Sequence, residues 1–289
     1  MVDEIDARVQ SDFFRARTRA FFNELLSLFS GTSNTLLPYD EVKEKLHIGG
    51  PIYRGVRTVE VGKIVGSVNR YRDFDRTFLP ARNRLVTRWT QVDRAFYKDI
   101  GLPPVVLYKV GDVYFVVDGH HRVSVAKEQG QEFIDAEVRE CKVKVPVGPD
   151  LRLEDLEILG AKVEFLDRTG LDRVRPEANI EFTVPDGYER ALEHIAVHRY
   201  FMGLDQKRDI PEAEAVAHWY DTVYHPIAKV IRDRGILSEF PGHTEGDMYL
   251  WVLDRQHFLH DQGQELAPPE EAAEDYIRRL EQAPELSEL

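Results

Sequence analysis

The segment Val113-Tyr114-Phe115-Val116-Val117-Asp118-Gly119-His120-His121-Arg122-Val123-Ser124-Val125-Ala126 constrains the fold more than any other stretch of this chain. A β-branched and aromatic run stops at Asp-Gly and gives way to helix-compatible residues, which predicts a buried strand turning sharply into a helix. Just before it, Val105 to Val110 is another apolar run, and the intervening Gly111-Asp112 is a strong hairpin signal.

The strand-to-helix turn is chemically useful in its own right. The first N–H groups of a helix lack intrahelical partners and sit at the positive end of the macrodipole, so they attract phosphate or carboxylate. Gly119 lets the backbone approach a ligand, and Arg122, one turn on, carries a guanidinium fork that suits a phosphate. His120 and His121 can donate protons or bind metal, and Asp118 suits Mg²⁺ or a hydroxyl proton. The same residues also read as a plain N-cap, a turn glycine and a solvated arginine.

Composition bounds the rest. With 289 residues, 43% hydrophobic and 31% charged, the chain can form one large domain or two to three small ones. No run of eighteen apolar residues occurs, and the acidic, charge-studded N-terminus lacks a secretory pattern, so a cytoplasmic protein without a membrane partner is expected. The single cysteine, Cys141, excludes an internal disulfide framework. A net charge of −13 disfavours DNA as a partner, although Pro51 to Lys98 holds eleven basic residues against four acidic ones.

Glu4 to Phe29 reads as an amphipathic helix in which Phe13, Phe14, Phe21, Phe22, Leu25, Leu28 and Phe29 form the packing stripe, with Arg15, Arg17 and Arg19 on the other face. Such a stripe packs against its own protein or a second copy, and a homodimer is an expectation. A short helix over Tyr39 to Leu46, a strand over Arg57 to Val61 and a helix over Arg84 to Lys98 precede the hairpin. Phe133 to Val145 reads as extended. After Pro149, helices are expected over Leu151 to Leu159, capped by Asp150 and ended by Gly160. Others follow over Tyr188 to Phe201, Pro211 to Arg234, Gly246 to His260 and Glu270 to Leu280. Thr244 and Asp247 are spaced as a capping box, and His194 and His198 are spaced as two zinc ligands without a third.

This order of elements resembles the N-terminal domain of ParB and the related sulfiredoxin and free serine kinase folds. The resemblance rests on Gly119, Arg122 and Ala126, which match a Gly-x-x-Arg helix start with a downstream Ala. It rests also on Ile64 to Asp75, where Arg72 is followed by Phe74-Asp75. It covers roughly Arg57 to Val147. Departures are specific: ParB has an acidic residue and extra arginines where this chain has His120, His121 and Ser124. Sulfiredoxin places its catalytic cysteine where His120 stands. Asp118-Gly119-His120 reproduces the Asp-Gly-His turn of the free serine kinases.

The resemblance implies an α+β protein: a small ParB/sulfiredoxin-like mixed sheet domain flanked by an N-terminal helix and a C-terminal helical domain. The expected divisions are a helical segment 1–50, the sheet domain 51–147, a helical domain 148–264 and an acidic tail 265–289. It further implies a nucleotide site taking ATP, ADP or CTP with Mg²⁺, and a small-molecule acceptor if phosphoryl transfer or nucleotide hydrolysis follows. Gly119, His120, His121 and Arg122 would cradle phosphate, with Arg70 and Arg72 as a second source of positive charge. Asp118 would hold Mg²⁺ or accept the hydroxyl proton, beside His120 and a further carboxylate, Glu60. Two alternatives stay open: a ParB-like DNA-associated transcriptional or partitioning regulator, and a non-catalytic interaction protein.

Overall fold

The computed structural model describes residues 2–30 and 33–282, and in it the chain divides into two units, Met1–Leu156 and Glu157–Leu289. The first unit runs α1 (Val2–Ser30), β1 (Leu37–Pro38), α2 (Tyr39–Lys45), β2 (Ile52–Glu60), β3 (Ile64–Ser67) and α3 (Val86–Tyr97). It continues through β4 (Val105–Val110), β5 (Val113–Asp118), α4 (His120–Glu128) and β6 (Phe133–Cys141). The six strands form one mixed sheet in the order β1-β3-β5-β4-β6-β2. The β4–β5 and β2–β6 pairs are antiparallel, and β1–β3, β3–β5 and β4–β6 are parallel. The fold class is α+β, with helices at both ends of the chain.

Chain connectivity forces this sheet to curl. Four strand steps separate β3 from β2, about 19 Å if the sheet were flat. Yet only the 3₁₀ turn Val61–Lys63 joins them, and such a turn rises about 2 Å per residue. The two flanks therefore approach each other. Alternation along the strands then assigns two faces. Val105, Leu107, Val116, Ala136 and Val138 meet Phe13, Ala16 and Ala20 of α1, Trp89 of α3, and Val123 and Val125 of α4. On the other face Tyr39 of α2 packs edge-on against Tyr108 and Phe115, with its hydroxyl 3.4 Å from Cys141 Sγ.

Helix α1 differs from the sequence expectation in which face it buries. Val9, Phe13, Ala16 and Ala20 are the core-facing row, whereas Phe14, Phe21, Phe22, Leu25, Leu28 and Phe29 are exposed. At 100° per residue the exposed apolar row lies opposite the buried one. The small side chains of Ala16 and Ala20, one and two turns beyond Phe13, let α1 approach the core closely. Arg15 and Arg19 are not simply solvated, because both reach the buried carboxylate of Glu128 on α4, at 2.9 and 3.0 Å. A polar seam continues from there: Tyr97 donates to Asp12 (2.6 Å) and Gln129 donates to Asp93 (2.7 Å). Asp93 is fully buried, which pushes its pKa up to about 6.

After α5 (Asp155–Thr169) and α6 (Leu171–Val174), the second unit is built from α7 (Asp186–Gln206), α8 (Glu212–Trp219), α9 (His225–Arg234), α10 (Glu245–Asp261) and α11 (Pro269–Gln282). Helix α5 corrects the expected Leu151 to Leu159 helix: it starts four residues later and runs through Gly160. Burial of Leu156, Val163, Phe165 and Leu166 outweighs the ~1 kcal/mol cost of a mid-helix glycine. The capping box is present: Thr244 Oγ1 accepts from the Asp247 N–H (3.2 Å), and Asp247 Oδ2 accepts from the Thr244 N–H (2.8 Å). Thr244→Ala is expected to lower stability by about 1 kcal/mol, measured by chemical denaturation with α10 helicity as the readout.

The two histidines with zinc-like spacing are used within the fold. His194 Nδ1 lies 2.9 Å from the Tyr249 hydroxyl, and His198 Nε2 lies 2.7 Å from His218 Nδ1. Among the described residues, no three His, Cys, Asp or Glu side chains are grouped to hold a metal ion, and no helix is long and apolar enough to cross a membrane.

Candidate functional site

The turn between β5 and α4 is held by its backbone and by one arginine. Gly119 is the N-cap of α4 with φ +99°, a conformation that costs little only without a Cβ. A Cβ there would stand 2.6 Å from Val105 Cγ1. One helical turn later, Arg122 Nη2 pairs with Asp118 Oδ2 at 2.6 Å, and Nη1 donates to the Pro104 carbonyl (2.9 Å) and the Pro103 carbonyl. Arg122 is mostly buried while the Asp118 side chain is 72% exposed. The guanidinium thus locks the Pro103-Pro104 loop to the turn.

The first two helical residues face a different set of groups. His120 Nε2 lies 2.7 Å from Ser67 Oγ, the last residue of β3. That oxygen accepts from the Arg70 N–H (2.9 Å) and the Asn69 N–H (3.3 Å). Both hydroxyl lone pairs are then occupied, so the hydroxyl proton goes to Nε2, and the network assigns the His120 ring proton to Nδ1. Phe74 lies against both rings, stacked on His120 (6.2 Å) and edge-on to His121 (5.6 Å). Burial first, and the nearby Arg70 guanidinium second, lower both imidazole pKa values to about 4. Arg88 pushes His121 the same way. Both rings are neutral at pH 7, and His121 Nδ1 is buried without a hydrogen-bond partner.

Charges of both signs act on these rings: Arg70 on both and Arg88 on His121, against Asp73 on both and Asp118 on His120. Asp73 is bound to Arg84 at 2.6 Å. Asp75 is turned inward, accepting from the Thr77 and Leu79 N–H groups, the Thr77 hydroxyl and the Asn23 amide. Arg70, Arg72, Arg82 and Arg88 are exposed, and among the described residues none of the four has an ion-pair partner. Arg72 lies over the Tyr71 ring at 5.5 Å, and Arg82 Nε makes a long bond (3.4 Å) to the Arg72 carbonyl.

The residues singled out in the sequence fall into three places. Arg70, His120 and His121 share one cluster, whereas Arg72 lies over the Tyr71 ring. Asp118, Gly119 and Arg122 form the locked turn beside it. Glu60 is elsewhere: Lys63 reaches both Glu60 (3.5 Å) and Asp112 (3.2 Å) at the start of β5, and about 20 Å of strand separates Asp112 from Asp118. Sequence reasoning missed Ser67, Phe74 and Arg88 as members of the cluster. A small polar residue closing the apolar run Ile64 to Ser67 was the only signal for the first. Ser124 is structural, accepting from Trp89 Nε1 at 2.9 Å.

The carboxylates at the turn are themselves paired with arginines: Asp118, the one near the helix start, with Arg122, and Asp73 with Arg84. The arrangement offers N–H donors and positive charge.

No family model and no curated protein matches the chain. In class it is an α+β sheet unit with a helix-start cluster, joined to a helical unit. Among solved structures the chain is similar to a Pnob8-like ParB-N domain in its C2221 form, at 16% identity over 70% of this chain and 90% of that chain. The TM-score of that likeness is 0.21.

Proposed function

We propose that the first unit binds a nucleotide through its phosphate groups at the start of α4. The observation that carries this reading is a pair of exposed arginines without ion-pair partners among the described residues, Arg70 and Arg88, whose charges act on the two neutral histidines that open a helix N-terminus. Unpaired guanidinium groups and free helix N–H groups are complementary to phosphate oxygens in both charge and geometry. Neutral His120 keeps Nδ1–H as a donor, while its Nε2 lone pair is taken by Ser67. Arg122 serves this site by fixing the turn.

Binding, not phosphoryl transfer, is the activity supported. A transfer site needs a group that orients the attacking hydroxyl and a cation for the developing charge. His120 has no lone pair to spare for the first task, and Asp118 is held by Arg122.

Calorimetric titration with ATP, ADP and CTP tests the proposal. At least one is expected to bind the wild type, and Arg70→Ala and Arg88→Ala are each expected to weaken it about 10- to 100-fold, the scale of one charge-assisted hydrogen bond. Equal affinity in the wild type and both variants, or no heat with any nucleotide, contradicts it.

A further inference from the structure

Helix α1 carries an apolar row that neither the core nor the nucleotide reading uses. Phe14, Phe21, Phe22, Leu25, Leu28 and Phe29 are exposed, from 40% at Leu25 to 83% at Phe29. At 100° per residue the six fall within an arc of about 120°, on the side away from Val9, Phe13, Ala16 and Ala20, and Thr18 is the one polar residue among them. From Phe14 to Phe29 the row covers about 22 Å of helix, and its six residues expose roughly 750 Å². A soluble monomer rarely leaves a contiguous apolar patch of that size open.

An apolar helix face of this kind suits a lipid surface or a protein surface. A helix that lies on a membrane carries a basic polar face, whereas α1 has five acidic side chains against four arginines. Arg15 and Arg19 are already bound to Asp12 and Glu128, and Arg8 lies over the Tyr97 ring. The net charge of −13 further opposes an anionic surface. The exposed area instead matches a second copy of the chain. Two such rows together offer about 1,500 Å², inside the ~1,200–2,000 Å² of a stable interface, with each partner supplying close to ~800 Å².

Charges at the edge of the row fit a second copy in one orientation. Half-buried Arg17 and exposed Glu24 flank the same edge of the arc, seven residues apart, and neither has an ion-pair partner among the described residues. In a two-fold antiparallel pair of helices each edge meets itself with its direction reversed. An axis through Phe21 sets Phe21 against its own counterpart and Phe14 opposite Leu28 of the second copy. The same axis brings Arg17 within one residue of the level of Glu24 of the second copy, on both sides of the axis. A parallel pair would set Arg17 toward Arg15 of the second copy, a contact of like charges. The row is therefore self-complementary only when the helices run in opposite directions.

We propose that the chain forms an antiparallel two-fold dimer through the exposed row of α1, with Arg17 and Glu24 paired across its edge. Sedimentation velocity on the full chain at micromolar concentrations tests it. The wild type is expected to sediment at twice the 33.4 kDa mass of one chain. Phe21→Glu/Leu25→Glu is expected to sediment as a monomer with unchanged far-ultraviolet circular dichroism, because both side chains are exposed. Arg17→Glu is expected to weaken the dimer about tenfold, and Arg17→Glu/Glu24→Arg to restore it. A monomeric wild type, a dimer that Phe21→Glu/Leu25→Glu leaves intact, or a charge exchange as weak as Arg17→Glu alone overturns the proposal. So does a monomer that co-sediments with phosphatidylglycerol vesicles, which would give the row to a lipid surface.

Discussion

Replacing Gly119 by alanine is expected to destabilise the first unit by about 3 kcal/mol, read as a ~100-fold loss of amide hydrogen-exchange protection across β4 and β5. Two effects add. A side chain at φ +99° carries backbone strain of about 1–2 kcal/mol. The new Cβ, 2.6 Å from Val105 Cγ1 and 2.9 Å from Val105 Cβ, overpacks a fully buried position, which typically costs ~1–3 kcal/mol. Relief by movement of Val105 is limited, because that residue pairs with Ala136 in the parallel β4–β6 ladder. A loss of protection below about fivefold, under ~1 kcal/mol, would show that the turn is not the fixed point described above.

Acid is expected to destabilise the same unit through His120 and His121. Each has a folded pKa near 4, against about 6.5 in an unfolded chain. Between those values the unfolded state binds more protons, so stability falls as pH falls from 6.5 to 4 and is fully present above 6.5. The two together represent a loss of a few kcal/mol. Asp93 acts in the opposite direction. Its folded pKa is raised to about 6, so the folded state takes up a proton first and gains stability as pH falls through 6. Two imidazoles outweigh one carboxyl, and the net slope is positive with pH. Denaturation at pH 7.5 and pH 5 checks this, with His120→Gln/His121→Gln as the comparison. The double variant is expected to lose the wild type's acid sensitivity, and an unchanged pH profile would remove the histidines as its cause.

The strand-to-helix turn was legible in the sequence because its signals are local: a β-branched run, an Asp-Gly pair and a hairpin dipeptide all act within a few residues. Helices of the second unit were legible for the same reason, by period and by the Thr244–Asp247 cap. What the sequence did not disclose depends on contacts between distant segments. Alpha-helical periodicity in α1 is compatible with burying either of two opposite apolar rows, and only contacts with the distant core select one. Arg122 reads as a phosphate ligand until Pro103 and Pro104 are seen to present their carbonyls to it, nineteen and eighteen residues earlier. Ser67 and His120 are 53 residues apart, and no pattern in either segment announces their 2.7 Å bond. Glu60 enters only through the family resemblance, and Lys63 pairs with both it and Asp112, at the opposite end of β5 from Asp118.

Phosphate recognition at the start of α4 is the central claim, and nucleotide titration followed by ¹⁵N–¹H NMR of the full chain tests it most directly. The account predicts saturable shifts concentrated in the amides of His120, His121 and Arg122 and in the segment Ser67 to Asp73, together with the Nε–H signals of Arg70 and Arg88, all absent in Arg70→Ala/Arg88→Ala. Shifts that map instead to the second unit, or none at saturating nucleotide, would contradict it.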